Sequence, residues 1–337
     1  MLRQTHEKDG NLSKLDCGDG AIWISNKLNG RIFCSLGHEM VHQFRADLAA
    51  NPDPKEFNNI GGNSLWPTPE GGAFAYNYLP EGKWLVQDAI NRQPTVTVTQ
   101  ESGFAVIAKD MELMNRKGCR IAMNFKRSVF CGDIRDLLSK YHSRGLAYRT
   151  EDVLTPLAEY QTTDVVVAAW SLEQLPGSNG IIAFGRVGGN AKECVNDDFY
   201  GNPHSRLSYH GNGFRFELGG PERLQIGIRT AARPELIGSF DARRGILVIR
   251  TTPPRNDGQY INIADNDQPD GVYSAADCFS IFNGAELGFH ELETIAPMNS
   301  ENGILTGSRL ESQTMIFKGT EETLRLCLRD HFKIDFI

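Results

Sequence analysis

The sequence predicts a mainly β protein with one or two short helices, and three observations carry that prediction. Short apolar or alternating runs recur along nearly the whole chain, each bounded by glycine, asparagine, aspartate or proline. Only one segment carries a clear helical stripe. The runs are not interleaved with helical patterns, as β-α-β units would require, so the expected architecture is a large antiparallel one.

In chain order, Ala21-Ile22-Trp23-Ile24 leads through Asn29-Gly30, a strong hairpin signal, into Arg31-Ile32-Phe33-Cys34. Thr95–Thr99 alternates strictly, Gly103–Ala108 follows after one turn, and Arg120–Phe125 continues the pattern. Asp164–Trp170, Gly180–Phe184, Phe214–Leu218, Leu224–Ile228 and Gly245–Arg250 read as further strands. The helical stripe is Ile134, Leu137, Leu138 and Tyr141, capped by Asp133 and closed before Gly145. Met40–Leu48 is a candidate second helix, and Glu321–Arg325 is compatible with more than one state. No internal repeat, low-complexity run or long linker divides the chain, so one domain over residues 1–337 is expected.

Composition excludes several function classes. Hydrophobic residues make up 40% of the 337 and charged residues 23%, enough for a large core beneath an ordinary polar surface. A net charge of −7 without any Lys/Arg-rich run argues against a nucleic-acid partner, which would demand a basic stripe. No apolar stretch approaches the roughly 20 residues of a membrane span. Met1–Asp9 is polar and lacks the apolar centre of a secretory signal. The seven cysteines are scattered and form no Cys-x-x-Cys pair, which fits reduced thiols and a cytoplasmic location.

Two stretches carry residue types suited to ligand chemistry. Gly61-Gly62-Asn63-Ser64-Leu65-Trp66-Pro67-Thr68-Pro69-Glu70-Gly71-Gly72 sets an indole, a carboxamide, a hydroxyl and a carboxylate between two glycine pairs. Glycine pairs let a backbone turn sharply or approach a ligand closely. Aromatic faces stack on the C–H face of a sugar ring while planar polar groups bridge its hydroxyls. The alternative is a proline-locked surface loop with Trp66 plugging the core. The loop lacks both phosphate-binding glycine spacings. In the second stretch, Gly288–Pro297, apolar and acidic residues alternate, so Glu291 and Glu293 share one strand face and His290 points to the other. Two close carboxylates push their proton affinities apart and can supply both an acid and a base.

These stretches carry a family resemblance. Leu292-Glu293-Thr294 with Pro297 resembles the catalytic-glutamate strand of aldose 1-epimerases, the galactose mutarotases. The Gly61–Glu70 loop and Ala168-Ala169-Trp170-Ser171-Leu172-Glu173-Gln174-Leu175 resemble segments of mutarotase-like bacterial proteins of uncharacterised function. The matching points run from about residue 60 to residue 310. The resemblance implies a galactose mutarotase-like β-supersandwich with a sugar cleft on one sheet, a small-molecule carbohydrate ligand, and no cofactor. It makes Glu293 the general base and places Trp66, Glu70, Trp170 and Glu291 around the sugar. The family's acid histidine belongs on the strand corresponding to Val166–Leu172, where this chain presents Trp170. Either another histidine supplies the acid or the cleft binds sugars without turnover.

The remaining candidates follow from that gap. His204 and His210 lie in the polar, aromatic segment Asp197–His210 and are the candidate replacement acids. Arg206 and Arg229 could hold an anionic sugar, as a lyase or hydrolase on acidic saccharides would need. Asp197, Asp198, His204 and Glu293 have the ligand types for a divalent cation, but no spacing enforces a site and none is assigned. Asp265–Gly271 lacks the glycine placement and terminal glutamate of a calcium loop and reads as a hairpin loop.

Overall fold

The computed structural model describes residues 12–53, 56–199, 201–253, 255–261 and 277–337. The Asp265–Gly271 loop and Met1–Asp9 lie outside the described residues. Two antiparallel sheets, of ten and eleven strands, pack face to face. The first runs in the order Leu12–Cys17, Gly20–Ser25, Arg31–Leu36, Gly62–Thr68, Ala168–Pro176, Phe289–Ile295, Asp277–Asn283, Leu224–Arg229 and Val195–Asn196, with Glu39–Met40 alongside Arg31–Leu36. At the centre of the second are the long strands Ile304–Lys318, Arg144–Pro156 and Arg120–Gly132. This is the mainly β, antiparallel structure that the recurrent alternation predicts, in the two-sheet form that the family resemblance implies.

Apolar packing on both sides of the second sheet follows from the strand period of two. Between the sheets, Ile22, Ile24, Ile32, Leu146, Leu292 and Ile316 form part of one continuous core. The outer face of the second sheet is covered by the helices Arg135–Lys140 and Glu321–Asp330, whose Leu138, Leu324, Cys327 and Leu328 pack against Phe240 and Phe317. The N-cap of Arg135–Lys140 is Ile134 rather than the expected Asp133, whose Oδ1 accepts the Arg135 backbone N–H at 3.0 Å from one position earlier. On the outer face of the first sheet a smaller cluster of Leu28, Phe33, Ala49 and Ile60 packs beside the helix Ala46–Ala50, and the rest of that face holds the cleft described below.

Several sequence expectations shift in detail. The Asn29-Gly30 pair ends a five-residue loop, because Ser25 pairs with Arg31; both residues take positive φ, 60° and 68°. Asp164 is exposed, Val165–Val167 are buried but irregular, and the strand begins at Ala168. Met40–Leu48 is not one helix: Met40 ends a short strand and the helix covers Ala46–Ala50. Glu321–Asp330 is the longest of five described helices, four of them of six residues or fewer, where one or two are expected.

Candidate ligand cleft and carboxylate pair

Five neighbouring strands of the first sheet floor a cleft of about 710 Å³. From Gly62–Thr68 come Ser64 and Trp66, from Ala168–Pro176 come Trp170, Leu172 and Gln174, and from Phe289–Ile295 come Phe289, Glu291 and Glu293. Each set follows the two-residue period, so the intervening side chains face the core. His290 is one of those: its Nδ1 pairs with the Pro176 carbonyl at 3.1 Å, and burial lowers its pKa to about 4.

The registers explain the contacts. Trp66 stands directly opposite Trp170, and their rings meet edge to face at 5.9 Å. Trp170 is diagonal to Glu293, within reach of a large side chain, and its Nε1–H donates to Glu293 Oε2 at 3.0 Å. Gln174 stands opposite Glu291, and its Nε2–H donates to Glu291 Oε1 at 2.9 Å. Pro67 is tolerated inside its strand because Arg31–Leu36 pairs with that strand only at Ile32↔Asn63. The glycines at its start serve backbone packing rather than ligand approach. A Cβ on Gly61 would lie 2.0 Å from the Gln43 carbonyl oxygen, and one on Gly62 would meet the Phe33 ring at 2.7 Å.

Both cleft carboxyls are buried, and both are pushed toward the protonated form. Burial raises Glu291 to about 7, against opposing pulls from the Gln174 hydrogen bond and the nearby Arg31 charge. Burial raises Glu293 well above the carboxylate range; the neighbouring Glu291 and Glu70 add to the rise, and the Trp170 and Ser280 hydrogen bonds oppose it. Glu293 therefore holds its proton more firmly, while Glu291 lies near neutrality. Three further polar atoms lining the cleft are buried with no hydrogen-bond partner among the described residues: Arg31 Nε, Trp66 Nε1 and Gln174 Oε1. Side chains lining the cleft thus carry two donors and one acceptor that are buried without a partner, at a cost that a polar ligand reaching them would relieve.

On the opposite face of the same strands, Glu173 takes the reverse state. It receives hydrogen bonds from Tyr148 Oη at 2.6 and 2.7 Å, Asn63 Nδ2 at 2.6 Å and Thr314 Oγ1 at 3.2 Å, and it pairs with His42 Nε2 at 2.6 Å. Burial works against its charge, but His42, Arg250 and the Tyr148 hydrogen bond outweigh it and hold the carboxyl far below its usual range. Arg250 also donates to the backbone carbonyls of Leu292 at 2.6 Å and Ser171 at 3.1 Å, tying together the two strands that carry the cleft residues.

A model for a family of unknown function, DUF6786, matches residues 4–336. The chain belongs to that family. No curated protein matches it. Among solved structures it is similar to a galactose mutarotase-like protein from Lactobacillus casei ATCC 334, at 8% identity and TM-score 0.52, over 90% of this chain and 99% of that one. It is also similar to a galactose mutarotase related enzyme from Lactobacillus acidophilus, at 11% identity and TM-score 0.50, over 92% and 98% of the two chains. At these identities the likeness is one of fold: the chain has the galactose mutarotase-like fold.

Of the residues singled out in the sequence, Trp66, Glu70, Trp170, Glu291 and Glu293 all line the cleft. His204 and His210 do not. His204 is an exposed loop residue whose Nε2 lies 3.4 Å from Asp197, and His210 lies at the edge of the other sheet, stacked on Phe336 at 4.8 Å. Arg206 also lies away from the cleft lining, donating to the Gly219 carbonyl at 2.7 Å, and Arg229 donates to the Glu193 carbonyl. Among the described residues no three His, Cys, Asp or Glu side chains are grouped as metal ligands, so Glu293 does not join Asp197, Asp198 and His204. Sequence reasoning missed Arg31, Phe57, Gln174 and Arg223. For Gln174 a signal existed, since it shares Trp170's strand face at i+4.

Among the described residues no helix is long and apolar enough to cross a membrane.

Proposed function

We propose that this is a carbohydrate-binding protein that exchanges the anomers of an aldose, with the Glu291/Glu293 pair moving the protons. Supporting the reading most directly is the pair itself: two buried carboxyls on one strand face, beside paired tryptophans, with proton affinities that differ. Anomer exchange needs a proton removed from the anomeric hydroxyl and one delivered to the ring oxygen. Glu291, near neutrality, is the base in this scheme, and protonated Glu293 is the acid. That reverses the role the family resemblance gives Glu293. It also removes the need for a histidine.

Ring opening, rotation about the exposed carbonyl carbon and reclosure then exchange the anomers. The unpartnered Gln174 Oε1 and Trp66 Nε1 would receive and donate hydrogen bonds to ring hydroxyls. Polarimetry on freshly dissolved aldoses tests the proposal: the protein should accelerate the optical change for at least one sugar, and Glu293→Gln should remove most of that acceleration.

A second reading, a binder without turnover, is favoured by one observation. Trp170, whose indole N–H is no acid near neutral pH, holds Glu293 where the resemblance expects a histidine. Thermal stabilisation by a sugar whose anomers interconvert at the uncatalysed rate would establish the binder instead.

A further inference from the structure

The carboxyl pair lies at the inner end of a chain of aromatic rings that reaches the solvent. Trp170 touches Glu293; Trp66 meets Trp170 at 5.9 Å; Phe57 meets Trp66 at 5.6 Å; and Trp84 meets Phe57 at 5.7 Å, all three ring pairs edge to face. The first three rings are buried or half-buried, but Trp84 is 42% exposed. It is held out by a tight hairpin: Leu79 N–H donates to the Lys83 carbonyl at 2.8 Å, Leu85 N–H donates to the Asn77 carbonyl at 2.8 Å, and Tyr78 bridges Trp84. An indole fixed at a cleft rim with this much of its surface in water contributes less to the core than a buried one, yet it lines the same cleft as the carboxyls.

The cleft is also larger than one sugar ring requires. The strands from Gly62–Thr68 to Leu224–Arg229 are four spacings apart, about 19 Å. Its 710 Å³ falls in the range that holds drug-sized molecules. Resting on the carbohydrate reading above, we infer that the ligand is a disaccharide or longer saccharide, with one ring over Glu291 and Glu293 and a second ring stacked on Trp84. Trp84 is then an accessory subsite that selects for chain length and takes no part in proton transfer. An edge-to-face contact with Phe57 covers at most one face of the indole, and aromatic faces are what the C–H face of a sugar ring stacks on.

Isothermal titration with matched sets tests this: glucose with maltose and cellobiose, xylose with xylobiose, mannose with mannobiose, and galactose with a galactobiose. In the wild-type protein at least one disaccharide should bind about tenfold or more tightly than its monosaccharide. Trp84→Ala should lose that gain and Trp84→Phe should keep most of it, with monosaccharide affinity unchanged in both. As a readout independent of any variant, the Trp84 indole N–H resonance of the wild type should shift with the disaccharide and not with the monosaccharide. Equal affinity for both lengths, or a gain that survives Trp84→Ala, would overturn the subsite and leave the carbohydrate reading standing. If no saccharide of either length binds, both fall together.

Discussion

Glu173 and the Glu291/Glu293 pair occupy the same two paired strands, one residue apart in register, yet their protonation is opposite. Glu173 stands opposite Leu292, and Glu293 stands opposite Leu172. All three carboxyls are fully or nearly fully buried. The strand alternation sends Glu173 inward to five polar partners, two of them able to carry positive charge, and sends the pair outward to tryptophans and each other. Burial alone therefore does not set the state of a carboxyl here; the donors and charges on its face do. Glu173 has the partners of a structural anion, and the pair has the environment of groups that exchange protons.

Replacing each carboxyl by its amide separates the two regions most sharply. Glu293→Gln preserves the shape and neutrality of a protonated carboxyl, so folding should survive while anomer exchange falls by roughly 10²–10⁴, the usual contribution of positioned acid–base groups. Glu173→Gln should do the reverse damage. It removes the charge that faces Arg250 and the His42 ring, and breaking such a buried cluster costs about 3–5 kcal/mol. Denaturant unfolding at pH 7 combined with polarimetry checks both. A Glu173→Gln protein as stable as the wild type would mean that the cluster carries no net charge pairing.

The pH dependence of stability should also differ in sign. Glu291 has a folded-state pKa of about 7 against 4.5 when exposed, so the native state holds the extra proton between those values. Stability is then lost as pH rises through that window, by about 3 kcal/mol once both states are ionised. Glu291→Gln cannot ionise, so its stability relative to the wild type should climb by about that amount between pH 4.5 and pH 8. Glu173 is depressed instead, and its contribution, present above pH 4.5, is lost as pH falls toward its folded-state value. Urea midpoints at several pH values measure both trends.

The two regions were unequally legible in the sequence. Alternation along Gly288–Pro297 placed Glu291 and Glu293 on one face and His290 on the other, because a strand's period is local. The pairing of Trp66 with Trp170 and of Gln174 with Glu291 depends on registers between segments about a hundred residues apart, which no local pattern encodes. The same limit hid Arg31 and allowed His204 and His210 as acids: their chemistry suited the task, but nothing local carries them to the cleft. The inward cluster was invisible for the same reason, since its members come from both sheets. The helix at Glu321–Asp330 stays ambiguous in the sequence on other grounds. Leu324, Cys327 and Leu328 make a one-sided stripe only once the window extends past Arg325.

The smallest expected effect isolates one hydrogen bond. Trp170→Phe keeps an aromatic ring against Trp66 and removes the N–H that reaches Glu293 Oε2. That bond favours the ionised carboxylate, so its loss should raise the Glu293 proton affinity further. A hydrogen bond to a charged group contributes about 1.5–3 kcal/mol, which would move the titration upward by one to two pH units. Folding should be little affected, because ring packing is largely retained. The variant's activity profile should shift to higher pH on the limb that reports Glu293, while the Glu291 limb stays in place. If both limbs stayed in place, the Trp170 bond would be a packing contact, and the proton affinity of Glu293 would be set by burial and its carboxylate neighbours alone.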